Sequence, residues 1–395
     1  MTTAFPDGFR WGTATAAHQV EGGNVNNDWW AFEHAEGTPC AEPSGDACDQ
    51  YHRYPEDIAL LAELGFDSYR FSVEWSRIEP EEGFFSKAAL DHYRRVCATC
   101  LEHGIDPVVT YHHFTSPRWM AADGGWTNPA SVARFARFAE QVTSHLGDLA
   151  TRACTINEPN VVAFVGYMIG AFPPGVVDRD LFDRAQVNLR DAHRAAYDVI
   201  KAGLGDKPVG LTLAMADYQA VPADDPDAIA KRDRIRALSE DHYLEACLGD
   251  DFIGVQTYTR DRIGPEGQLR PEPDAEVLIM GYEYYPEALE ATIRRAHEVT
   301  GTSVLVTENG IGTDDDDQRL RYLRTALEGV LRCLDDGLPV QGYTCWSLLD
   351  NFEWAFGYGP RFGIVAVDRE TQERTPKPSA RWLGSVARAN ALPEA

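Results

Sequence analysis

Eight times along this chain a short apolar run rich in β-branched residues gives way to an amphipathic helical stretch. No other feature limits the fold as strongly. The runs are Gly8–Thr13, Asp67–Val73, Asp106–Tyr111, Arg152–Ile156, Val209–Ala214, Phe252–Tyr258, Ser303–Thr307 and Gln341–Trp346. Helical spacing follows each, near 55–64, 86–103, 129–147, 181–203, 235–248, 285–300, 316–336 and 376–390. Runs without helical period fit strands buried on both faces, as in a parallel sheet. Strict alternation then predicts an α/β fold, a single (β/α)8 TIM barrel over residues 1–395, rather than an open sheet. A length of 395 residues would also suit two or three domains, but barrels of this class routinely exceed that prior. Neither an internal repeat nor a Pro-, Gly- or Ser-rich linker divides the chain.

Charge excludes some partners. A net charge of −26 argues against nucleic acid and anionic membrane surfaces, both of which need a basic face. The segment Met1–Phe9 lacks the basic start and apolar core of a secretory signal, and no run is long enough to span a membrane. Eight cysteines (40, 48, 97, 100, 154, 247, 333 and 345) show no metal-ligand spacing. Cys97 and Cys100 have CxxC spacing but fall in mid-helix, where i and i+3 share a face, so they read as buried thiols of a reducing compartment. The expectation is a cytoplasmic protein. The acidic patches Asp224–Asp227 and Asp314–Asp317 read as exposed loops or helix starts.

In such a barrel the active site lies at the C-terminal ends of the strands, so polar residues there carry the information. After the first strand comes Gln19, a hydroxyl ligand or simply a loop amide. Arg70 sits among apolar residues of the second strand and needs an anion, most simply a carboxylate from another strand. The third strand ends in His112 and His113. Neighbouring strand residues point to opposite faces, and no HxH or HExxH pattern accompanies them, so no metal is expected. The sixth contributes Gln256 and Tyr258. After the eighth come Trp346, Glu353 and Trp354, either core filling with a capping acid or a sugar-binding wall.

Two strand ends share a rarer feature. The fourth runs Thr155-Ile156-Asn157-Glu158-Pro159, and the seventh runs Val306-Thr307-Glu308-Asn309-Gly310. A carboxylate at the end of a buried strand is costly unless paired or used. Two of them across one barrel mouth can divide acid and nucleophile roles in acetal cleavage. At ~5.5 Å and an effective dielectric of ~20, their charges repel by about 3 kcal/mol, on the order of two pK units. One acid therefore holds its proton. Arg70 and Tyr258 are candidate supports for an ionised Glu308, leaving Glu158 as proton donor.

With these segments in view the chain resembles glycoside hydrolase family 1, the β-glucosidase family. The matching segments run from Phe9-Arg10-Trp11-Gly12 to Arg361-Phe362-Gly363, with Asn157-Glu158-Pro159, Thr307-Glu308-Asn309-Gly310 and Trp346–Trp354 in the family's order. The resemblance implies a retaining β-glycosidase without a cofactor, acting on small β-D-glucosides, with β-galactosides and β-fucosides as neighbouring substrates. It implies Glu308 as nucleophile and Glu158 as general acid/base. It further implies that Gln19, His113, Asn157, Trp346, Glu353 and Trp354 hold the non-reducing sugar. Asn157 would meet the 2-hydroxyl, while Gln19 and Glu353 would read those at positions 3, 4 and 6.

Three places in the chain depart from the family's commoner pattern. His113-Phe114-Thr115-Ser116-Pro117 replaces His-Trp-Asp-Leu-Pro, Gln256-Thr257-Tyr258 replaces Asn-Tyr-Tyr, and Ala153 stands where a Trp is frequent. These leave the two acids in place and bear on the leaving-group side. A 6-phospho-β-glycosidase would need a cationic nest near the eighth strand's loop, where Glu353 puts an acid instead. A catalytically inactive carbohydrate-binding barrel would usually lack one of the two glutamates.

Overall fold

The computed structural model describes residues 3–393, so Met1, Thr2, Glu394 and Ala395 of the expected 1–395 unit lie outside the described residues. Eight strands close into a barrel: β1 (Arg10–Ala14), β2 (Ser68–Ser72), β3 (Asp106–His113), β4 (Arg152–Asn157), β5 (Val209–Ala214), β6 (Phe252–Gln256), β7 (Val304–Asn309) and β8 (Val340–Trp346). All neighbours run parallel. β1 closes the ring by pairing with β2 on one side and β8 on the other, with Gly12 opposite both Ser68 and Thr344. Closure leaves the barrel no open edge to protect.

The main helices alternate with these strands: α1 (Gln50–Leu64), α2 (Lys87–Glu102), α3 (Ala130–Leu146), α4 (Arg179–Leu204), α5 (Pro226–Arg236), α6 (Ala288–Thr300), α7 (Asp316–Asp335) and α8 (Pro378–Ala389). Their buried faces follow helical spacing. In α3, Phe135, Phe138, Ala139, Val142 and Leu146 form one apolar stripe. Most of the core lies between strands and helices. A separate small cluster of Val108, Cys154, Phe252 and Leu305 packs within the barrel, as expected of its filled interior. No described helix is long and apolar enough to cross a membrane.

Both acidic patches are helix starts. The Asp315 carboxylate accepts from the amides of Asp317 (3.0 Å) and Gln318 (3.2 Å) at the start of α7. Asp225 does the same for Asp227 and Ala228, each at 2.9 Å, at the start of α5. Cys97 and Cys100 are buried on α2, and all eight cysteines are free thiols.

The structure departs from the sequence reading in several places, one being the sixth strand, which stops at Gln256 and leaves Tyr258 just beyond it. The fifth helical stretch begins at Pro226, not near 235, and continues past α5 as a five-residue π segment (Ala237–Asp241) and short turns to Cys247. Asp225 and Pro226 are the signal for that earlier start. Strands β3 and β7 each run two residues further than expected, to His113 and Asn309, so Glu308 lies within the last pairs of its strand. A small sheet of Asp217–Ala220, Arg260–Gly264 and Gly267–Gln268 stands outside the barrel, as does a hairpin of Val365–Val367 with Arg374–Pro376. The small outer sheet is built from short polar segments, whereas the sequence reading assigns no strand to the apolar run 364–367 that opens the hairpin.

Candidate active site

Strand register places the first acid. Along β7, Val306 pairs with Val255 of β6, but Glu308 pairs with Gln256, so the ladder slips between the two. A slip of this kind re-aims a side chain at a barrel rim. Gly310 follows because β8 crosses close by: a Cβ there would lie 2.1 Å from the Trp346 carbonyl oxygen.

The Glu308 carboxylate is buried and held on both oxygens. Oε1 accepts from Arg70 Nη1 at 2.6 Å and from Gln256 Nε2 at 2.7 Å, while Oε2 accepts from the Tyr258 hydroxyl at 2.6 Å. Arg70, only 1% exposed, has found the anion that its place in β2 demanded. Its Nη2 donates to Asn157 Oδ1 at 2.5 Å, and that oxygen also accepts from Gln256 Nε2 (2.9 Å) and the Thr212 hydroxyl (3.2 Å). One network therefore ties together the ends of β2, β4, β5, β6 and β7.

Glu158 is built differently. Its backbone is left-handed at φ 45°, its amide donates to the Thr212 carbonyl at 2.9 Å, and Pro159 next to it opens the short helix Pro159–Phe164. Phe114 (φ 66°) and Trp354 (φ 49°) share that unfavourable region nearby. Such residues cost about 1–3 kcal/mol each and collect where the surroundings over-determine them, as at functional sites. Among the described residues no hydrogen-bond donor reaches the Glu158 carboxyl.

These surroundings separate the two acids. Burial pushes Glu158 well above the ordinary carboxylate range, and the charge of Glu308 pushes it the same way. Burial also raises Glu308, but the Arg70 guanidinium and the Tyr258 hydroxyl oppose that rise. The negative charge thus belongs on Glu308 and the proton on Glu158.

The remaining expected residues gather on the same mouth. Gln19 Nε2 donates to the Phe352 carbonyl (2.8 Å), to Asn351 Oδ1 (3.2 Å) and to Glu353 Oε2 (3.3 Å). His113 meets Asn157 Nδ2 through Nε2 at 3.2 Å, and stacks on Trp346 and Trp354 with ring centroids at 5.8 and 6.0 Å. Burial, then the Arg70 charge, hold its imidazole well below the ordinary range and so neutral. His112 faces elsewhere, edge-on to Trp126 and Phe135, as alternation along a strand requires. Two buried acceptors of this mouth, Gln19 Oε1 and Gln256 Oε1, have no partner among the described residues. Glu353 is buried at the same mouth, where burial, then the charge of Glu308, lift its carboxyl to about 8 and favour the protonated acid.

Three contributors went unassigned in the sequence. Gln256 registered only as a strand-six polar residue and a departure from pattern, although its amide bridges Asn157 and Glu308. Thr212, a lone hydroxyl in an apolar strand, gave too weak a signal. Tyr282 comes from an irregular loop with no pattern at all. It is raised well above the usual phenol range by burial, and then by Tyr322, Glu353 and Glu158.

Known proteins resemble this chain along nearly its whole length. The profile described as glycosyl hydrolase family 1 matches residues 1–276 and 255–392. The chain is 36% identical to a thermostable β-glucosidase B of Thermobispora bispora, over 98% of this chain and 92% of that protein. It is 34% identical to a bifunctional β-D-glucosidase/β-D-fucosidase of Bifidobacterium breve, over 97% of this chain and 98% of that one. Among solved structures, β-glycosidase BGL167 superposes with a TM-score of 0.91 at 52% identity, covering 99% of both chains. A family 1 β-glucosidase of Thermotoga maritima superposes at 0.94 with 32% identity, covering all of both.

Proposed function

The chain belongs to glycosyl hydrolase family 1 and is a β-glucosidase-type glycoside hydrolase, and from that premise we propose that it cleaves terminal β-D-glucosides with retention, using Glu308 as nucleophile and Glu158 as acid/base. The observation that carries the assignment is the unequal provision for the two acids: three donors on Glu308 and none among the described residues on Glu158.

In the first step a Glu308 carboxylate oxygen attacks the anomeric carbon. The bond from that carbon to the leaving oxygen breaks, and Glu158 gives its proton to the departing oxygen. In the second, Glu158, now ionised, takes a proton from water, whose oxygen displaces Glu308 from the anomeric carbon. Two inversions restore the starting configuration. Arg70, Gln256 and Tyr258 keep Glu308 charged and aimed.

In this reading Asn157 meets the 2-hydroxyl, and Gln19 with Glu353 the hydroxyls at positions 3, 4 and 6. Sugar hydroxyls would supply the missing partners of Gln19 Oε1 and Gln256 Oε1. Trp346, Trp354 and His113 form the flat wall. Glucose is the expected sugar, with fucose and galactose accepted, in keeping with the dual name of the B. breve relative. The reaction as drawn uses no cofactor. The charge of −26 supports a partner list without nucleic acid or membrane, and eight free cysteines support a cytoplasmic setting.

A 2-deoxy-2-fluoro-β-glucoside with a dinitrophenyl leaving group tests the assignment, because it slows the second step more than the first. Time-dependent inactivation with one label on the peptide containing Glu308 is expected. Labelling of a different residue would sink it.

A further inference from the structure

Behind the acid/base side of the mouth lies a cavity of ≈ 430 Å³ that the steps above leave unused. Its apolar wall is Val161, Phe164, Phe182, Met215, Ile235 and Leu238. Phe164, 44% exposed, sits on its rim. The cavity adjoins the chemistry: Gln256 and Tyr258, which hold Glu308, line it, as does Tyr282, and Asn160 and Val161 follow Glu158 in the chain. The cavity thus adjoins both the chain segment that follows the acid and the groups that hold Glu308.

We infer that this cavity receives the leaving group of the natural substrate, and that this group is an apolar, ring-sized body bearing a hydroxyl, not a second sugar. The inference rests on the glycosidase reading above. The volume falls within the range that encloses a small organic ligand. The polar side chains on the wall are largely committed: Tyr218 pairs with Ser239 at 3.3 Å, Asp261 with Gln268 at 2.7 Å, and Thr259 with the Glu283 carbonyl at 2.8 Å. A glucosyl leaving group would bury several hydroxyls here, each costing about 1–3 kcal/mol if unpaired. Besides Gln256 Oε1, which the reading above gives to a sugar hydroxyl, one buried acceptor of the wall stays open among the described residues. Asn160 Nδ2 donates to the Ala214 carbonyl at 2.8 Å, which fixes the amide and leaves its buried Oδ1 with no partner among the described residues. That oxygen suits a single phenolic or alcoholic hydroxyl.

The test measures kcat/KM for 2-naphthyl, 6-hydroxy-2-naphthyl and 2,4-dinitrophenyl β-glucosides and for cellobiose. The naphthyl substrates should exceed cellobiose by roughly tenfold or more, since one methylene of fit is already worth about tenfold or more. Leu238→Trp, which fills the cavity, should depress the naphthyl substrates about tenfold more than the dinitrophenyl one. Asn160→Ala should erase the advantage of the 6-hydroxyl. Cellobiose matching the naphthyl glucosides, or Leu238→Trp depressing all substrates equally, overturns the inference. Dinitrophenyl glucoside needs no proton from Glu158 in the first step, so its kcat/KM reports on the nucleophile separately. Binding of free 2-naphthol, followed by fluorescence in wild type and Leu238→Trp, reads the cavity without catalysis, and equal binding by both would also overturn it.

Discussion

At the end of β7 a carboxylate receives hydrogen bonds from Arg70, Gln256 and Tyr258. At the end of β4 a carboxyl of the same residue type receives none among the described residues, and its backbone stands at φ 45°. Both side chains are nearly inaccessible, so burial acts on both. What separates them is who answers the burial. Around Glu308 the answer is a cation, an amide and a phenol, which together favour the ion. Around Glu158 it is the neighbouring negative charge, which favours the proton. The barrel thus makes two chemical reagents from one amino acid by choosing which polar groups its strands bring to each.

The hardest test of that contrast removes each acid in turn. Glu308→Gly should lose activity on the order of 10⁴–10⁶-fold. Azide should restore part of it and yield the α-glucosyl azide, because only one displacement remains. Glu158→Ala with azide should instead yield the β product, since Glu308 still acts first. Proton NMR of the two products decides the matter, and the same anomer from both variants would reverse or abolish the roles.

Next in size is the leaving-group dependence. Glu158→Ala should cost about 10²–10⁴-fold in kcat/KM on alkyl glucosides, whose departing oxygen needs the proton, and far less in kcat/KM on dinitrophenyl glucoside. A uniform loss would mean that Glu158 does not act as an acid.

The supports of Glu308 come third. Tyr258→Phe removes one hydrogen bond to a charged group, so roughly ten- to a hundredfold in kcat/KM should go. The lost donor also favours protonated Glu308, so the acidic limb of the pH profile should move to higher pH. The alkaline limb belongs to Glu158, because activity falls as rising pH removes its proton. Glu158→Gln should abolish that limb in whatever activity it retains.

The smallest effect concerns stability and Glu353. Its carboxyl rises from 4.5 to about 8 on burial beside Glu308. The folded state therefore binds more protons than the unfolded state between those values. Stability from this group is greatest below 4.5 and is lost as pH climbs toward 8. Glu353→Gln should flatten the thermal midpoint across that window, and an unchanged slope would mean that the acid is already ionised at neutral pH.

How much of this was readable in advance follows from what kind of signal each residue leaves. Glu158 and Glu308 stood out because a carboxylate ending a buried strand conflicts with the residues before it. Arg70 stood out for the same reason. The barrel was legible because its period of strand and helix repeats eight times. Gln256 was less so, since an amide at a strand end is chemically unremarkable until the neighbouring strands supply Asn157 and Glu308. The charge state of Glu353 depends on burial and on a residue 45 positions away in the chain, neither of which local pattern conveys. The cavity behind Glu158 draws on the short helix after β4, on the ends of β5 and β6, on α4, on the broken helical stretch after Pro226 and on the small outer sheet. No single segment carries its shape.

That broken stretch has one more consequence. Residues 217–247 give the cavity Tyr218, Ile235, Leu238 and Ser239, yet none of the hydrogen bonds on Glu308. A designer could therefore treat the segment as an exchangeable cassette, grafting in a longer or more polar version to retune which alcohol or phenol departs. The bond-breaking apparatus would remain as it is.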